Sequence, residues 1–277
     1  MLTWTVPSRL KTENPMPHFP HNDGRPPFAV TVITLFPELF PGPLAASLTG
    51  QALTAGLWSM ATVDIRTHGI GRHRTVDDSP AGGGPGMVLR ADVAAAAIDE
   101  ARALSPDAPG IYLSPRGQPF TQARAAEFAA GPGLTLLCGR FEGVDERVIE
   151  GRGLIEVSLG DYVLSGGELA AFPIIDACLR LIPGVLGAAG SLDEESFSTG
   201  LLEYPQYTRP REWEGRTIPD ALLSGNHADI AAWRRAEAER LTAERRPDLI
   251  SAQAISTETS SAQAAHDKQQ RGSSKAD

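Results

Sequence analysis

The chain has 277 residues and a formal net charge of −9, from 25 Lys and Arg against 34 Asp and Glu, and 42% of its residues are hydrophobic. This apolar content supplies a core of ordinary size and excludes both full disorder and a small disulfide-stabilised protein. No run of about 18 apolar residues is present and the first residues carry no apolar stretch, so we expect no membrane span, no secretory signal and a cytoplasmic location.

Short apolar runs alternate with helical patterns through the first two thirds of the chain. Residues 1–27 are rich in Pro and lack hydrophobic periodicity, which predicts a disordered extension. Strands are predicted at 28–36, 61–67, 111–114, 134–138 and 154–159, and helices at 91–104, 121–129, 145–151 and 168–181. Continuous apolar strands separated by helices are typical of a parallel sheet covered on both faces, so residues 28–186 are predicted to form an α/β domain.

The composition changes after residue 186. Residues 187–200 are rich in Gly, Ala, Ser and acidic side chains, which indicates a linker. Residues 201–250 carry several prolines, show no strand pattern and end in a predicted helix at 228–244, so we expect a small, mostly helical second domain. Residues 251–277 have the composition of a disordered tail.

The two cysteines, Cys138 and Cys178, have neither CxxC spacing nor a cluster of other ligands around them in the sequence. This excludes a zinc ribbon and a redox pair. We expect both to be buried, unreactive thiols.

Glycine is concentrated where the last three predicted strands end, in residues 114–117, 139–143 and 160–168. In open parallel sheets, ligands bind at the carboxyl ends of the strands, and glycine lets the backbone approach a ligand closely. The alternative is that these glycines only turn the chain. There is no GxxxxGK[ST] motif, and no GxGxxG motif follows the first strand, so a P-loop is excluded and a conventional dinucleotide site is disfavoured.

Seven motifs in order resemble one known family. They are 82–87 (GGGPGM), 113–115 (LSP), 138–147 (CGRFEGVDER), 158–168 (SLGDYVLSGGE), 182–186 (IPGVL), 207–210 (YTRP) and 223–227 (LSGNH). Together they resemble the bacterial tRNA (guanine-N1)-methyltransferases of the TrmD type, which belong to the SPOUT class. The resemblance runs from about residue 28 to residue 250.

The resemblance implies an α/β fold with a SPOUT-type parallel sheet, a C-terminal trefoil knot and a small helical domain that helps hold tRNA. Such a knot is an exception to the rule that chains avoid knots. It also implies a homodimer in which each active site is completed by the partner chain. The implied reaction is methylation, by S-adenosylmethionine, of N1 of the guanosine immediately 3′ of the anticodon.

By position in the motifs, the resemblance also assigns a site for the methyl donor in the knot. The implied contacts are Tyr112, Leu113, Ser114, Pro115, Gly139, Glu142, Ser158, Leu159, Gly160, Asp161, Tyr162, Val163, Leu164, Gly166 and Gly167. They fall on the three glycine-bearing strand exits.

Guanine N1 carries a proton at neutral pH, so its methylation requires a general base, which contributes typically about 10²–10⁴-fold. The resemblance places an aspartate within an Asp-Ser-Phe element of the linker, and Glu195 occupies that position here. Asp193 and Glu194 are neighbouring alternatives. Negative charge that builds on the guanine oxygen needs a cation, and the resemblance assigns this role to Arg180. A capping role at a helix C-terminus is the alternative for Arg180.

A sulfonium donor supplies its own leaving group, so methyl transfer itself needs no metal. The resemblance implies a dependence on magnesium, but no acidic cage is evident in the sequence, and we assign no metal ligands.

Residues 66–74 (RTHGIGRHR) form either a solvated loop or a contact with tRNA phosphates. In the last helix, Trp233 is a core residue or a base-stacking platform, while Arg234 and Arg235 are candidate phosphate contacts. Besides Glu195, the sequence departs from the family pattern at two further positions, where Ala81 replaces a tyrosine and Ala170 replaces a proline. Ala81 and Glu195 motivate the alternative of a catalytically weakened RNA-binding protein, and another SPOUT methyltransferase with a different target nucleoside is the second alternative.

Overall fold

The computed structural model describes residues 26–186 and 194–251. These residues belong to two compact units, which divide between residues 187 and 188. Residues 1–25 of the predicted extension at 1–27, residues 252–277 of the predicted tail at 251–277, and residues 187–193 of the predicted linker at 187–200 lie outside the described residues.

A parallel sheet forms the centre of the first unit. Five strands lie in the order β2-β1-β6-β5-β7 and all of them pair in parallel, which confirms the predicted sheet. A separate antiparallel pair, β3 with β4, was not predicted. The strands of this unit are β1 (Phe28–Thr34), β2 (Trp58–Asp64), β3 (Asp77–Asp78), β4 (Val88–Leu89), β5 (Gly110–Pro119), β6 (Gly133–Cys138) and β7 (Ile155–Ser158).

Helices cover both faces of this sheet. They are α1 (Ser47–Thr54), α2 (Ala91–Leu104), α3 (Gln122–Ala129), α4 (Glu146–Gly151) and α5 (Gly167–Leu179). Because side chains alternate along a strand, Val32 and Leu136 pack in the core cluster that includes α5, while Ile33 and Leu137 pack in the cluster that includes α2. Burial of each such side chain stabilises the fold by about 1.5–3 kcal/mol.

Side-chain caps explain where several elements begin and end. The first strand stops at Thr34 instead of residue 36, because the Thr34 hydroxyl accepts a hydrogen bond from the Phe36 backbone N–H at 2.9 Å. The second strand begins earlier than predicted and stops at Asp64, whose carboxylate accepts from the Arg66 N–H at 2.9 Å and starts a 3₁₀ helix over Ile65–His68. Asp145 similarly caps α4 by accepting from the Arg147 N–H at 3.0 Å.

The third predicted strand is longer than residues 111–114. Leu113 and Gln118 of β5 both pair with Val157 of β7, so residues 114–117 bulge out of the ladder and the strand then continues to Pro119. The loop predicted at 114–117 therefore exists, but it is anchored to the sheet at both ends.

The second unit contains β8 (Glu212–Trp213), β9 (Arg216–Thr217), α6 (Asp220–Leu223) and α7 (His227–Arg245). The expectation of a segment without strands is wrong here. Glu214 and Gly215 both have positive φ, which is the backbone geometry of a tight hairpin turn, and β8 pairs with β9 in antiparallel fashion. The helix predicted at 228–244 is confirmed as α7, capped by the Asn226 side chain, which accepts from the Ala228 N–H at 3.0 Å.

Candidate functional site

A cavity of about 420 Å³ lies in the first unit where β5, β6 and β7 end. Its walls come from the bulge at 114–117, from residues 139–144 after β6, and from residues 159–167 between β7 and α5. The volume falls in the usual range for sites that hold a small molecule. Because parallel strands end at the same edge, the three loops meet as their glycine content suggested.

All the candidate donor residues except Asp161 line this cavity. They are Tyr112, Leu113, Ser114, Pro115, Gly139, Glu142, Ser158, Leu159, Gly160, Tyr162, Val163, Leu164, Gly166 and Gly167. Asp161 belongs to the same loop but is not part of the lining. Whether these residues bind a donor stays a prediction.

Two glycines are required at the cavity wall because the backbone packs closely there. A Cβ on Gly139 would lie 2.8 Å from the ring of Tyr112, and a Cβ on Gly167 would lie 2.7 Å from the Cα of Cys138. The Gly167 N–H also donates to the Gly139 carbonyl oxygen at 2.9 Å. The β6 exit and the start of α5 are therefore in direct backbone contact.

Tyr112 contributes a buried phenol to the cavity floor. Burial raises the pKa of Tyr112 above its ordinary value, while a hydrogen bond with the Val144 backbone lowers it in part. The ring therefore stays neutral near pH 7 and acts as an apolar surface with one polar end.

The glycine-rich motif at 82–87 packs against the β6 exit. The Glu142 N–H donates to the Met87 carbonyl oxygen at 2.9 Å, and the Leu89 N–H donates to the Gly143 carbonyl oxygen at 2.9 Å. A Cβ on Gly86 would meet the flexible Glu142 side chain, and the φ of 81° at Gly86 lies in the left-handed region that favours glycine. Ala81 precedes this motif as an exposed residue, and Ala170 lines the cavity.

Several residues that sequence reasoning did not single out support the cavity. Arg116 lines it and donates to Glu146 at 2.8 Å and to Glu156 at 3.2 Å, and the hydrogen bond to Glu146 is the main reason that the pKa of Arg116 is raised. Arg140 also lines it and donates through Nε to Glu168 at 2.8 Å. Arg140 lies inside the motif at 138–147, and Arg116 directly follows the motif at 113–115. A search of these motifs and their neighbours for charged side chains would have identified both arginines.

The two catalytic candidates lie in different units. Arg180 follows the last residue of α5 in the first unit, is half-buried, and does not line the cavity. Glu195 lies in the turn at 194–200 of the second unit and is half-buried, and its carbonyl oxygen accepts from the Ser198 N–H and hydroxyl at 3.2 and 2.6 Å. Their catalytic roles stay predictions.

The alternatives to Glu195 differ in what the structure says about them. Asp193 lies outside the described residues. The Glu194 carboxylate accepts from the Tyr204 hydroxyl at 2.5 Å and from Arg234 Nη1 at 3.1 Å, and thus holds the 194–200 turn against α7.

The loop at 66–74 separates into two parts. Arg66 folds back to donate to the Leu35 carbonyl oxygen and lies 5.2 Å over the Phe36 ring, and His68 pairs with Glu100 at 2.7 Å. Among the described residues, the exposed side chains of Arg72, His73 and Arg74 form neither ion pairs nor hydrogen bonds. Residues 72–74, hereafter the basic turn, keep their charge available to an anionic partner.

Arg234 and Arg235, the two candidate phosphate contacts on α7, already pair with carboxylates of the same chain. Arg234 pairs with Glu194 and lies 4.8 Å over the Tyr204 ring, and Arg235 pairs with Glu239 at 2.8 Å. Trp233 is half-buried and meets the Tyr207 ring edge-on at 6.0 Å, as a packing residue does.

Both cysteines are buried, as predicted. Burial raises the pKa of Cys178 to about 12, and burial is also the main reason that the pKa of Cys138 lies well above its ordinary value. Neither thiol is a candidate nucleophile.

In residues 26–186 and 194–251, no three His, Cys, Asp or Glu side chains lie together as a metal ion would need. The dependence on magnesium stays a prediction without assigned ligands. Separately, none of the helices in the described ranges combines the length and apolar character needed to cross a membrane.

Comparison with known proteins identifies one family that matches almost all of the described residues. The family described as tRNA (Guanine-1)-methyltransferase TrmD matches residues 28–252. A protein of Nitrobacter winogradskyi named tRNA (guanine-N(1)-)-methyltransferase is 67% identical over 224 residues, which cover 81% of this chain and 93% of that protein. A protein of the same name from Rhodopseudomonas palustris strain HaA2 is 61% identical over 247 residues, which cover 89% of this chain and 98% of that protein.

Proposed function

Because this chain belongs to the tRNA (guanine-N1)-methyltransferase family and is an enzyme of that activity, we propose that its cavity holds S-adenosylmethionine and that it methylates N1 of the guanosine immediately 3′ of the tRNA anticodon. The observation that carries the donor site is the meeting of three glycine-bearing loops at the ends of β5, β6 and β7. The sequence contains no P-loop motif and no GxGxxG motif after the first strand, which favours these loops as the place for the donor.

The residues present fit such a donor. The cavity has an apolar floor of Tyr112, Leu113 and Val157 for a purine or thioether surface. Among the described residues, the backbone N–H groups of Val163 and Leu164 donate to no protein acceptor, so they are available to a ligand. When bound, the donor supplies a methyl group on a positive sulfur and its own neutral leaving group.

In this proposal Glu195 takes the N1 proton of the target guanine, and the electron pair left on N1 attacks the methyl carbon. Arg180 stabilises the negative charge that spreads to the guanine oxygen. The position of Glu195 in the family motif supports Glu195 over Glu194 as the base. The proposal includes a dependence on magnesium, but it assigns no residues as magnesium ligands.

The basic turn supports binding of an RNA backbone in an otherwise acidic protein. Arg72 and Arg74 are exposed and carry charges that no carboxylate of the described residues neutralises. Arginine is well suited to phosphate because its planar guanidinium donates two parallel hydrogen bonds. We therefore place tRNA phosphates at residues 72–74, and assign residues 201–250 the second role in holding tRNA.

A homodimer and a SPOUT trefoil knot complete the proposal. Large apolar side chains are exposed around the cavity and at the start of α5, with Val163 84% and Leu169 56% exposed. Exposed apolar groups of this kind mark interaction surfaces. A second copy that covers them would complete the active site, and residues 28–186 would form the knotted domain. The tRNA substrate implies a cytoplasmic location.

One assay decides between this function and its two alternatives. The protein is incubated with radiolabelled S-adenosylmethionine and with two anticodon-stem transcripts that differ only in guanosine or adenosine 3′ of the anticodon. Transfer to the guanosine transcript alone supports the proposal. Transfer to both transcripts, or elsewhere, indicates a SPOUT methyltransferase with another target, and donor binding without transfer indicates a weakened RNA-binding protein.

A further inference from the structure

A fully buried carboxylate lies directly behind the cavity wall. Glu168, in the first turn of α5, has no exposed surface. Its Oε1 accepts from the Thr34 hydroxyl at 2.8 Å, and its Oε2 accepts from Arg140 Nε at 2.8 Å. A buried charge is tolerated only when it is paired and hydrogen-bonded, and both oxygens of Glu168 meet that condition.

Arg140 connects the buried Glu168 carboxylate to the cavity. Its Nη1 donates to the Ser165 carbonyl oxygen at 3.2 Å, and its guanidinium lies 4.5 Å over the Phe36 ring. A Cβ on Gly166 would overlap the Arg140 side chain, which therefore packs flat against the backbone of that residue. Arg140, Ser165 and Gly166 all line the cavity, so the arginine holds the end of the 159–167 loop in place.

Thr34 ties the same carboxylate to the end of β1. Its hydroxyl accepts from the Phe36 N–H at 2.9 Å while it donates to Glu168. Phe36 in turn supports the Arg140 guanidinium from below. Three segments that are distant in sequence, namely the β1 end, the β6 exit and the start of α5, thus converge on Glu168.

We propose that Glu168 is a positioning residue for donor binding, which acts through Arg140 and Thr34 to fix Ser165 and Gly166 before the donor arrives. The inference rests on the proposed function, since it concerns the same cavity. A loop that is already ordered loses less conformational freedom on binding, so removal of its support lowers affinity for the donor.

A purely structural role for Glu168 predicts a different result, and two threonines of β1 separate the two roles. Thr31 and Thr34 are both buried. The Thr31 hydroxyl forms one hydrogen bond, with the Ser105 hydroxyl at 3.0 Å, whereas the Thr34 hydroxyl donates to Glu168 at 2.8 Å and accepts from the Phe36 N–H at 2.9 Å. Thr34→Val and Thr31→Val therefore both remove a buried hydroxyl from one strand, but only the first affects Glu168 and Phe36.

The test is calorimetric titration of S-adenosylmethionine into the wild-type protein and each variant, with the thermal midpoint of unfolding measured on the same samples. We expect Thr34→Val to raise the donor Kd about fivefold or more and Thr31→Val to leave it within about twofold, and we expect Thr34→Val to lose more thermal midpoint because it removes two hydrogen bonds. Equal Kd values for the two variants would overturn the proposal.

Glu168→Ala and Glu168→Gln extend the test. Glutamine keeps the shape, its amide oxygen can accept from Arg140 Nε, and its NH2 group can donate to the Thr34 hydroxyl, so we expect it to restore most of the donor affinity that alanine loses. In steady state, Glu168→Ala should raise KM for the donor while kcat at saturating donor and the Kd for tRNA stay within about twofold. If Glu168→Ala folds and binds donor as the wild type does, the proposal is wrong. If the wild-type protein binds no donor, the proposed function fails and this inference fails with it.

Discussion

The Tyr204 hydroxyl donates to the Glu194 carboxylate at 2.5 Å, one residue before the proposed base. Glu194 anchors the turn at 194–200 to α7, whereas Glu195 is the proposed base. We expect Glu195→Gln to reduce kcat by about 10²-fold or more with little change in donor affinity, because the amide cannot accept the N1 proton. Single-turnover methyl transfer and donor titration measure the two quantities.

Glu194→Gln is the matched control for that prediction, since it changes the same chemical group one residue away. The amide oxygen can still accept from Tyr204, so we expect Glu194→Gln to retain kcat within about fivefold. A loss of turnover in Glu194→Gln together with an active Glu195→Gln would reverse the assignment.

Gly139→Ala should damage the cavity directly. The added Cβ would lie 2.8 Å from the buried Tyr112 ring, which has no room to move away. We expect a loss of about 1–3 kcal/mol in the free energy of unfolding and weaker donor binding. Gly151→Ala is the control, because a Cβ there meets no atom within 4 Å and alanine favours the helix. Denaturant titration with and without donor distinguishes the two variants.

Neutralising the basic turn should weaken tRNA binding without affecting the donor. We expect Arg72→Gln and Arg74→Gln each to make the slope of log Kobs against log salt concentration shallower by about 0.7 to 0.9. Arg152→Gln serves as the control, since Asp99 already neutralises that guanidinium at 2.7 Å. Filter-binding titrations over a range of salt concentrations give the slopes, and identical slopes for all three variants would remove the turn from the RNA contact.

The exposed apolar residue at the start of α5 gives a test of the dimer. Leu169 and Leu104 are both 56% exposed, on α5 and α2 respectively. We expect Leu169→Glu to shift the protein to a monomer at micromolar concentration, because a charge would be buried in the interface, whereas Leu104→Glu should leave the assembly unchanged. Sedimentation equilibrium measures the molecular mass of each variant and so distinguishes a monomer from a dimer. A wild-type monomer at all concentrations would contradict the proposed dimer.

Thiol titration checks the burial of the cysteines. Burial raises the pKa of Cys178 to about 12, so this thiol remains protonated in the folded protein at pH 8. We expect no reaction with a disulfide reagent until the protein unfolds, when both cysteines react. An unfolded thiol loses its proton above about pH 8.5, while the folded one keeps it, so this group should lower stability as pH rises from there towards 12.

The sheet and the cavity loops were predictable because their signals are local. Apolar runs such as 134–138 and caps such as Asp145 act within a few residues, and the glycine-bearing exits must share one edge once the strands are parallel. The helix α1 was not predicted, since its eight residues include Gly50 and show no clear apolar stripe. The hairpin β8–β9 was missed because two-residue strands carry no periodicity at all.

Contacts between residues that are far apart in the chain were not predictable from the sequence. Nothing local indicates that Glu168 meets Thr34, which stands 134 residues earlier, or that Glu194 meets Arg234 across 40 residues. These contacts depend on how elements pack, and they decide which of several nearby charged groups is occupied. Motif position assigns the base to Glu195 and leaves Asp193 and Glu194 as alternatives.

The bulge in β5 has a consequence for evolution of this wall. Both ends of residues 114–117 are held by Val157, so we expect the exposed side chain of Pro115 to be exchangeable without moving the strand that carries Tyr112. Recognition of a new small molecule is then open to selection at this position while the scaffold beneath it stays as it is.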